Sequence, residues 1–186
     1  VTAMSVLGNG LSQAGHHEDA LSMREAELAI VRRVGPAIDA SEANILNVQG
    51  NLANSYHYLG RFEDSVRMRQ EVYSGYAKHL GIEHPNTFVA ATNYAFSLGE
   101  LRRYAEAKSL LRRQIPVARR VLGDDDRHTL SMRLFHAEAL YKDNVATLDD
   151  FCEAVTTLED VKRTARRVLG DAHPHTAEIE ELCKTR

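Results

Sequence analysis

The chain has no tryptophan, two cysteines, four prolines and no strong excess of either charge. Each scarcity excludes something. Lys and Arg number 23 and Asp and Glu 26, for a net charge of −3. Proteins that grip nucleic acid or anionic membrane surfaces usually carry a clear basic excess, so neither is expected as a partner. Cys152 and Cys183 both fall in helical patterns. They read as reduced thiols in a reducing, cytoplasmic setting rather than as a disulfide framework. No run approaches the ~18 apolar residues of a membrane span, and no charged start leads into an apolar block as in a signal peptide. So few prolines suit a helical chain with few long loops. At 186 residues the length is that of one domain. The opening on Val1 points to a processed form or an excised fragment.

What is present is a repeat. Residues 51–87, NLANSYHYLGRFEDSVRMRQEVYSGYAKHLGIEHPNT, read as two amphipathic helices and the turn that follows them. Asn51 aligns with Asn93, Gly60 with Arg102, Phe62 with Tyr104, Gly81 with Gly123 and Thr87 with Thr129, always at an offset of 42. A fixed period of this size marks a helical solenoid, in which each hairpin must stack on a neighbour to bury both its apolar faces. The expected fold is therefore all-α, with repeats at about 1–35, 41–81, 87–123 and 129–170 and a capping helix over 176–186.

Repeat one is degenerate. Gly15, His17 and Ala20 match Gly60, Phe62 and Ser65 at an offset of 45, and Gly8 and Gly10 weaken its first helix. In repeat two, Leu52, Ala53, Tyr56 and Leu59 form one buried stripe, and Phe62, Val66, Val72, Tyr73 and Tyr76 another. In repeat three Arg102 replaces the turn glycine, predicting a strained or rearranged turn. Pro116 removes one helical hydrogen bond and predicts a kink. Repeat four carries five extra residues in its turn, KDNVATLDD, where Asp150 followed by Glu153 suggests a capping box with Asp150 as the cap.

The inter-repeat turn recurs as LGIEHPNT (80–87), LGDDDRHT (122–129) and LGDAHPHT (169–176). Its glycine closes a helix in the left-handed conformation. Thr87, Thr129 and Thr176 are candidate N-caps. The turn histidines His84, His128, His173 and His175 lie about a repeat apart and do not converge as metal ligands must. Arg112, Arg113, Arg119, Arg120 and Arg163, Arg166, Arg167 sit near helix C-termini, where the helix dipole favours cations; a dock for phosphate or an acidic protein is the other reading. No phosphate-binding glycine loop, nucleophile elbow or metal-ligand pair stands out, so neither an enzyme nor a cofactor is expected.

NLANSYHYLGRFEDS and LGIEHPNT resemble the tetratricopeptide repeat of the 42-residue kind found in kinesin light chain, with its N-L-A-x-x-Y-x-x-x-G-x-Y-x-E-A pattern and L-G-x-x-H-P-x-T linker. Similar repeats occur in bacterial and algal multidomain proteins. The resemblance implies a right-handed superhelix whose first helices line a concave, partner-binding face. In peptide-binding members an asparagine two positions before the small residue of the first helix bonds the ligand backbone, and Asn51 and Asn93 match it. Phe135 and Val6 stand at that position in repeats four and one. The same face adds Asn47, Asn54 and Tyr58, then Val89, Phe96 and Glu100, then Ser131, Glu138 and Lys142. Two carboxylates against one ammonium favour a neutral or basic peptide over an acidic one. The expected function is a protein-interaction scaffold binding a protein or peptide. The alternative is an architectural, sensor or oligomerisation arm of a larger protein, with Asn51 and Asn93 bonding only within the hairpins.

Overall fold

A computed structural model describes residues 2–34 and 42–170 together with Thr176. Among these residues lie eight helices and no strand. They are α1 (Thr2–Gln13), α2 (His17–Val34), α3 (Glu42–Tyr58), α4 (Phe62–His79), α5 (Pro85–Glu100), α6 (Tyr104–Leu122), α7 (Arg127–Lys142) and α8 (Leu148–Leu169). Among them α1 and α2, α3 and α4, and α7 and α8 pair as hairpins. The chain divides into two compact units, Val1–Ala90 and Ala91–Arg186, with the boundary inside α5. The expected capping helix falls outside the described residues, apart from Thr176.

The turn inside a hairpin is built the same way three times. Gly15, Gly60 and Arg102 all have positive φ, 82°, 72° and 55°. Each donates its N–H to the carbonyl three residues back (Ser12, His57 and Gly99). The next residue donates to the carbonyl five back, as Arg61 does to Tyr56 at 2.8 Å and Arg103 to Leu98 at 2.8 Å. This pair of bonds satisfies the last carbonyls of a helix. The turn at Arg102 is therefore not rearranged. It keeps the left-handed geometry with a residue that disfavours it.

In the first unit, α1 packs on α2, α2 on α3 and α3 on α4. Leu21, Leu28, Val31, Val48 and Leu52 form one apolar cluster, flanked by Tyr56, Leu59 and Met68. Leu46, Val72, Tyr76 and Ala90 form another. The α3–α4 hairpin closes tightly where residues are small. The Ser65 hydroxyl donates to the Ala53 carbonyl at 2.9 Å, with both residues buried. Farther along, a Cβ on Gly75 would stand 2.4 Å from Leu46 Cδ2, so α4 needs a glycine there. Gly8, at the Ala53 position of repeat one, is buried against the Arg24 side chain.

In the second unit, α6 packs on α7 and α7 on α8. Leu130, Leu134, Ala137 and Leu140 of α7 meet Ala154, Leu158, Val161 and Ala165 of α8. The Lys108 ammonium bridges to the Asp143 carboxylate at 2.7 Å and ties α6 to the end of α7. Pro116 does not end α6, which continues to Leu122.

The helix starts correct two expectations. Thr147, not Asp150, caps α8: its hydroxyl accepts from the Asp150 N–H at 3.2 Å, while the Asp150 carboxylate accepts from the Thr147 N–H at 2.9 Å. Asp150 is the far half of a T-x-x-D box whose near half precedes it by three residues. Thr87 and Thr129 are likewise not caps but buried residues of the first turn. His84 Nδ1 accepts from the Asn86 N–H at 3.1 Å, and Asp126 accepts from the His128 and Thr129 N–H groups. The residue three before each threonine therefore supplies the acceptor, His in one turn and Asp in the other. Pro85 follows His84 as the first residue of α5, where a missing N–H costs nothing. The Thr87 hydroxyl instead donates to the Gly81 carbonyl at 2.7 Å and locks the turn behind it.

Candidate partner-binding surfaces

In the second unit, α5 and α7 bring one face each to a common cavity. Phe96, Gly99 and Glu100 fall at helical spacing on α5, and Phe135, Glu138, Ala139 and Lys142 do the same on α7. Tyr104, Ala107 and Arg102 close the α6 side of a cavity of about 220 Å³. Its floor is aromatic, with the Phe96 and Phe135 rings 5.7 Å apart between centroids. Gly99 keeps the space open, since a Cβ built there meets nothing within 4 Å. The rim is charged. Lys142 donates to the Glu138 carboxylate four residues before it on α7, and that bond holds its ammonium pKa above the ordinary lysine value.

Four predicted residues, Phe96, Glu100, Glu138 and Lys142, thus surround this one cavity. Ser131 does not; its hydroxyl donates to the Arg127 carbonyl within α7 at 2.9 Å. Asn93 is exposed on α5. Val89 is 37% exposed earlier on the same helix, in the first unit.

The first unit holds the other predicted residues, all on α3. Asn51 is half-buried. Asn47 accepts from the Tyr76 hydroxyl at 2.6 Å, and burial raises the Tyr76 pKa. Asn54 accepts from Arg69 Nη2 at 2.9 Å. Tyr58 is exposed but stacks on His17, with ring centroids 5.1 Å apart. These side chains lie along one helix.

Sequence reasoning missed two kinds of residue. Phe135 stood in the repeat as the replacement for a clamp asparagine, yet it supplies half of the cavity floor. Arg24 and Arg69 were not singled out, although both are buried and lie 45 residues apart, the offset between repeats one and two. The signal that could have found them is a charged residue repeating on the apolar side of second helices.

Successive helix hairpins, three of them turned through a left-handed residue at Gly15, Gly60 and Arg102, define a helical-repeat protein. Residues 41–113 match the family model described as Tetratricopeptide repeat. The chain has the tetratricopeptide-repeat fold, an all-α solenoid in the form seen in kinesin light chain-like repeats. Two crystal structures of nearly identical TPR-like repeats, assigned to a kinesin light chain of Podosopora anserina, match it at 23% identity. They give TM-scores of 0.78 and 0.76, over 96% of this chain and 80% and 81% of theirs. The structure of BtubC (BKLC) from P. vanneervenii matches at 15% identity with a TM-score of 0.69, over 97% of this chain and 75% of that one. No curated protein matches the chain.

Proposed function

We propose that the chain is a non-catalytic scaffold that holds a partner protein through an extended segment lying on its first helices. Repeats of this fold serve protein–protein interaction generally. The observation that supports the finer reading is the cavity between α5 and α7. Its volume is below the ~300–1,000 Å³ of pockets for drug-sized ligands, and it suits one large side chain. The Phe96 and Phe135 rings offer apolar contact to an aromatic or aliphatic anchor, and Glu100 on the rim favours a basic neighbour. Asn51 on α3 and Asn93 on α5 are proposed to bond ligand backbone, each in its own unit. No helix among the described residues is long and apolar enough to cross a membrane, and the exposed thiol of Cys152 suits a reducing, cytoplasmic setting.

Peptides selected by display against the full chain are expected to carry an aromatic or large aliphatic residue beside Lys or Arg. Gly99→Leu fills the cavity without a backbone clash and should weaken those peptides about tenfold or more, with the helical circular dichroism unchanged. Selected peptides that bind Gly99→Leu as tightly as the parent would sink the cavity reading and give the lead to an architectural arm.

A further inference from the structure

In the second unit, α6 shows which edge of a second helix takes the helix that follows. That edge is Tyr104, Lys108, Arg112 and Ile115, spaced as one helical stripe. Lys108 bridges to Asp143 at the end of α7, and Tyr104 shares a cavity wall with Ala139 and Lys142. Lys108 and Arg112 also act on the buried His136. The beginning of α6 thus meets the end of α7, so the two helices run antiparallel. At an offset of 47, α8 carries Phe151, Val155, Glu159 and Lys162 in the same places. Two neighbouring cations have become a valine and a carboxylate. This edge of α8 is open at its beginning. Leu148 is 78% exposed and Phe151 45%, and Val155 and Glu159 are exposed after them. Val145, in the longer turn before α8, extends the apolar strip and is 77% exposed. Exposed apolar side chains scattered singly need no explanation, whereas a contiguous strip of them marks an interaction surface.

We propose that this edge of α8 is a docking surface for an amphipathic helix of a partner protein, one that runs antiparallel to α8 and carries lysine or arginine toward its C-terminal end. The surface is separate from the α5–α7 cavity and does not use it. The occupant is a helix because the equivalent edge of α6 takes one, and its direction follows from the same pair. Its charge follows from α8. Between Leu148 and Asp160 that helix has Asp149, Asp150, Glu153, Glu159 and Asp160 and no Lys or Arg. Asp149 and Glu159 are exposed along the strip. On α6 the edge offers cations and the following helix answers with Asp143; on α8 the edge offers carboxylates and calls for cations. Basic residues near the C-terminal end of the incoming helix also suit its own dipole. Leu148, Phe151 and Val155 supply the apolar contact that such a helix needs on its other face.

The test uses the full chain, nitrogen-labelled, with two synthetic amphipathic helices as probes at equal ionic strength. The probes share a leucine stripe and differ in the polar face, lysine in one and glutamate in the other. The lysine helix is expected to shift the backbone amide signals of Leu148, Phe151 and Val155, and the glutamate helix to leave them in place. Val155→Lys combined with Glu159→Arg gives α8 the residue types that α6 carries there. It should keep the fold, weaken the lysine helix about tenfold or more and admit the glutamate helix. Leu148→Ser removes one exposed leucine, so the melting temperature should hold while the lysine helix weakens about tenfold. Undiminished binding of the lysine helix by either variant, or no shift of these amides in the parent, overturns the docking surface. A glutamate helix that shifts the same amides in the parent overturns the ligand class. Shifts that grow with chain concentration alone assign the edge to a second copy, and proton–proton contacts from residues 176–186 to Phe151 in the free chain assign it to this chain itself; either result overturns the partner helix. Gly99→Leu should leave the α8 shifts unchanged, so failure of the cavity reading and failure of this one are told apart.

Discussion

Arg102 shows how a single residue can break a local rule while the element keeps its form. Its φ of 55° copies the glycines at the equivalent turns, because the same two backbone bonds need satisfying there. A non-glycine residue in that conformation costs about 1–2 kcal/mol, against the ~0.5–1 kcal/mol of chain entropy that glycine forfeits on folding. Arg102→Gly should therefore stabilise the chain by about 0.5–1 kcal/mol, read as a higher denaturant midpoint at an unchanged slope. A lower midpoint would mean that the Arg102 stem contributes packing that outweighs the strain. The sequence announced this position, because a gap in a glycine column is visible in any repeat. The helix caps were less legible. Threonine is a common cap, and only the structure shows that the acceptor comes three residues earlier, from His84 and Asp126, with the threonine buried beneath the turn. Gly75 was silent for a related reason: a glycine inside a helical pattern gains meaning only from what packs on it, here Leu46.

At the scale of elements, the α7–α8 hairpin carries a pH response. His136 on α7 is buried, and burial pushes its pKa below the ordinary value. Glu153 on α8, 3.8 Å from Nδ1, and Asp150 pull upward, while Arg112 and Lys108 of α6 push down with the burial. A lowered histidine pKa means that the unfolded chain takes up a proton that the folded chain resists. Stability then falls as pH drops below the unfolded value of about 6.5, until the folded form is also protonated. His128 shifts the same way, again chiefly through burial. The depressed carboxylates Asp143, Asp150 and Asp160 also lose stability on acidification, but only below the ordinary carboxylate range of about 4. The melting temperature should thus decline between pH 7 and pH 5, and His136→Gln should flatten that decline in part. An identical pH profile in the variant would show that His136 is not the group responsible. Element existence and pairing were legible here because apolar spacing and a fixed offset act together. The Phe96–Phe135 floor was not, since it depends on which faces of α5 and α7 meet.

At the scale of the molecule, a repeat chain distributes its stability through neighbour contacts instead of one central core. The described helices are unequal in what they bury. On α7, Leu130, Met132, Leu134, Ala137, Ala139 and Leu140 are all buried, whereas α1 contributes no residue to the buried hydrophobic set. Its anchorage is polar: Ser5 donates to Glu27 at 2.5 Å, and Asn9 accepts from Arg24. Each such bond to a charged group contributes a net ~1.5–3 kcal/mol, about what one buried leucine supplies, so these two bonds do not match the run of buried apolar side chains on α7. Gly8 and Gly10 lower the helix's own stability further. The opening free energy should therefore be smallest for α1 and approach the highest value in the chain for α7. Hydrogen exchange read by mass spectrometry at neutral pH is expected to show α1 amides exchanging first, well before those of α7. Equal protection in the two helices would mean that the chain unfolds as one cooperative block, and that the polar anchors around Arg24 are worth as much as an apolar core.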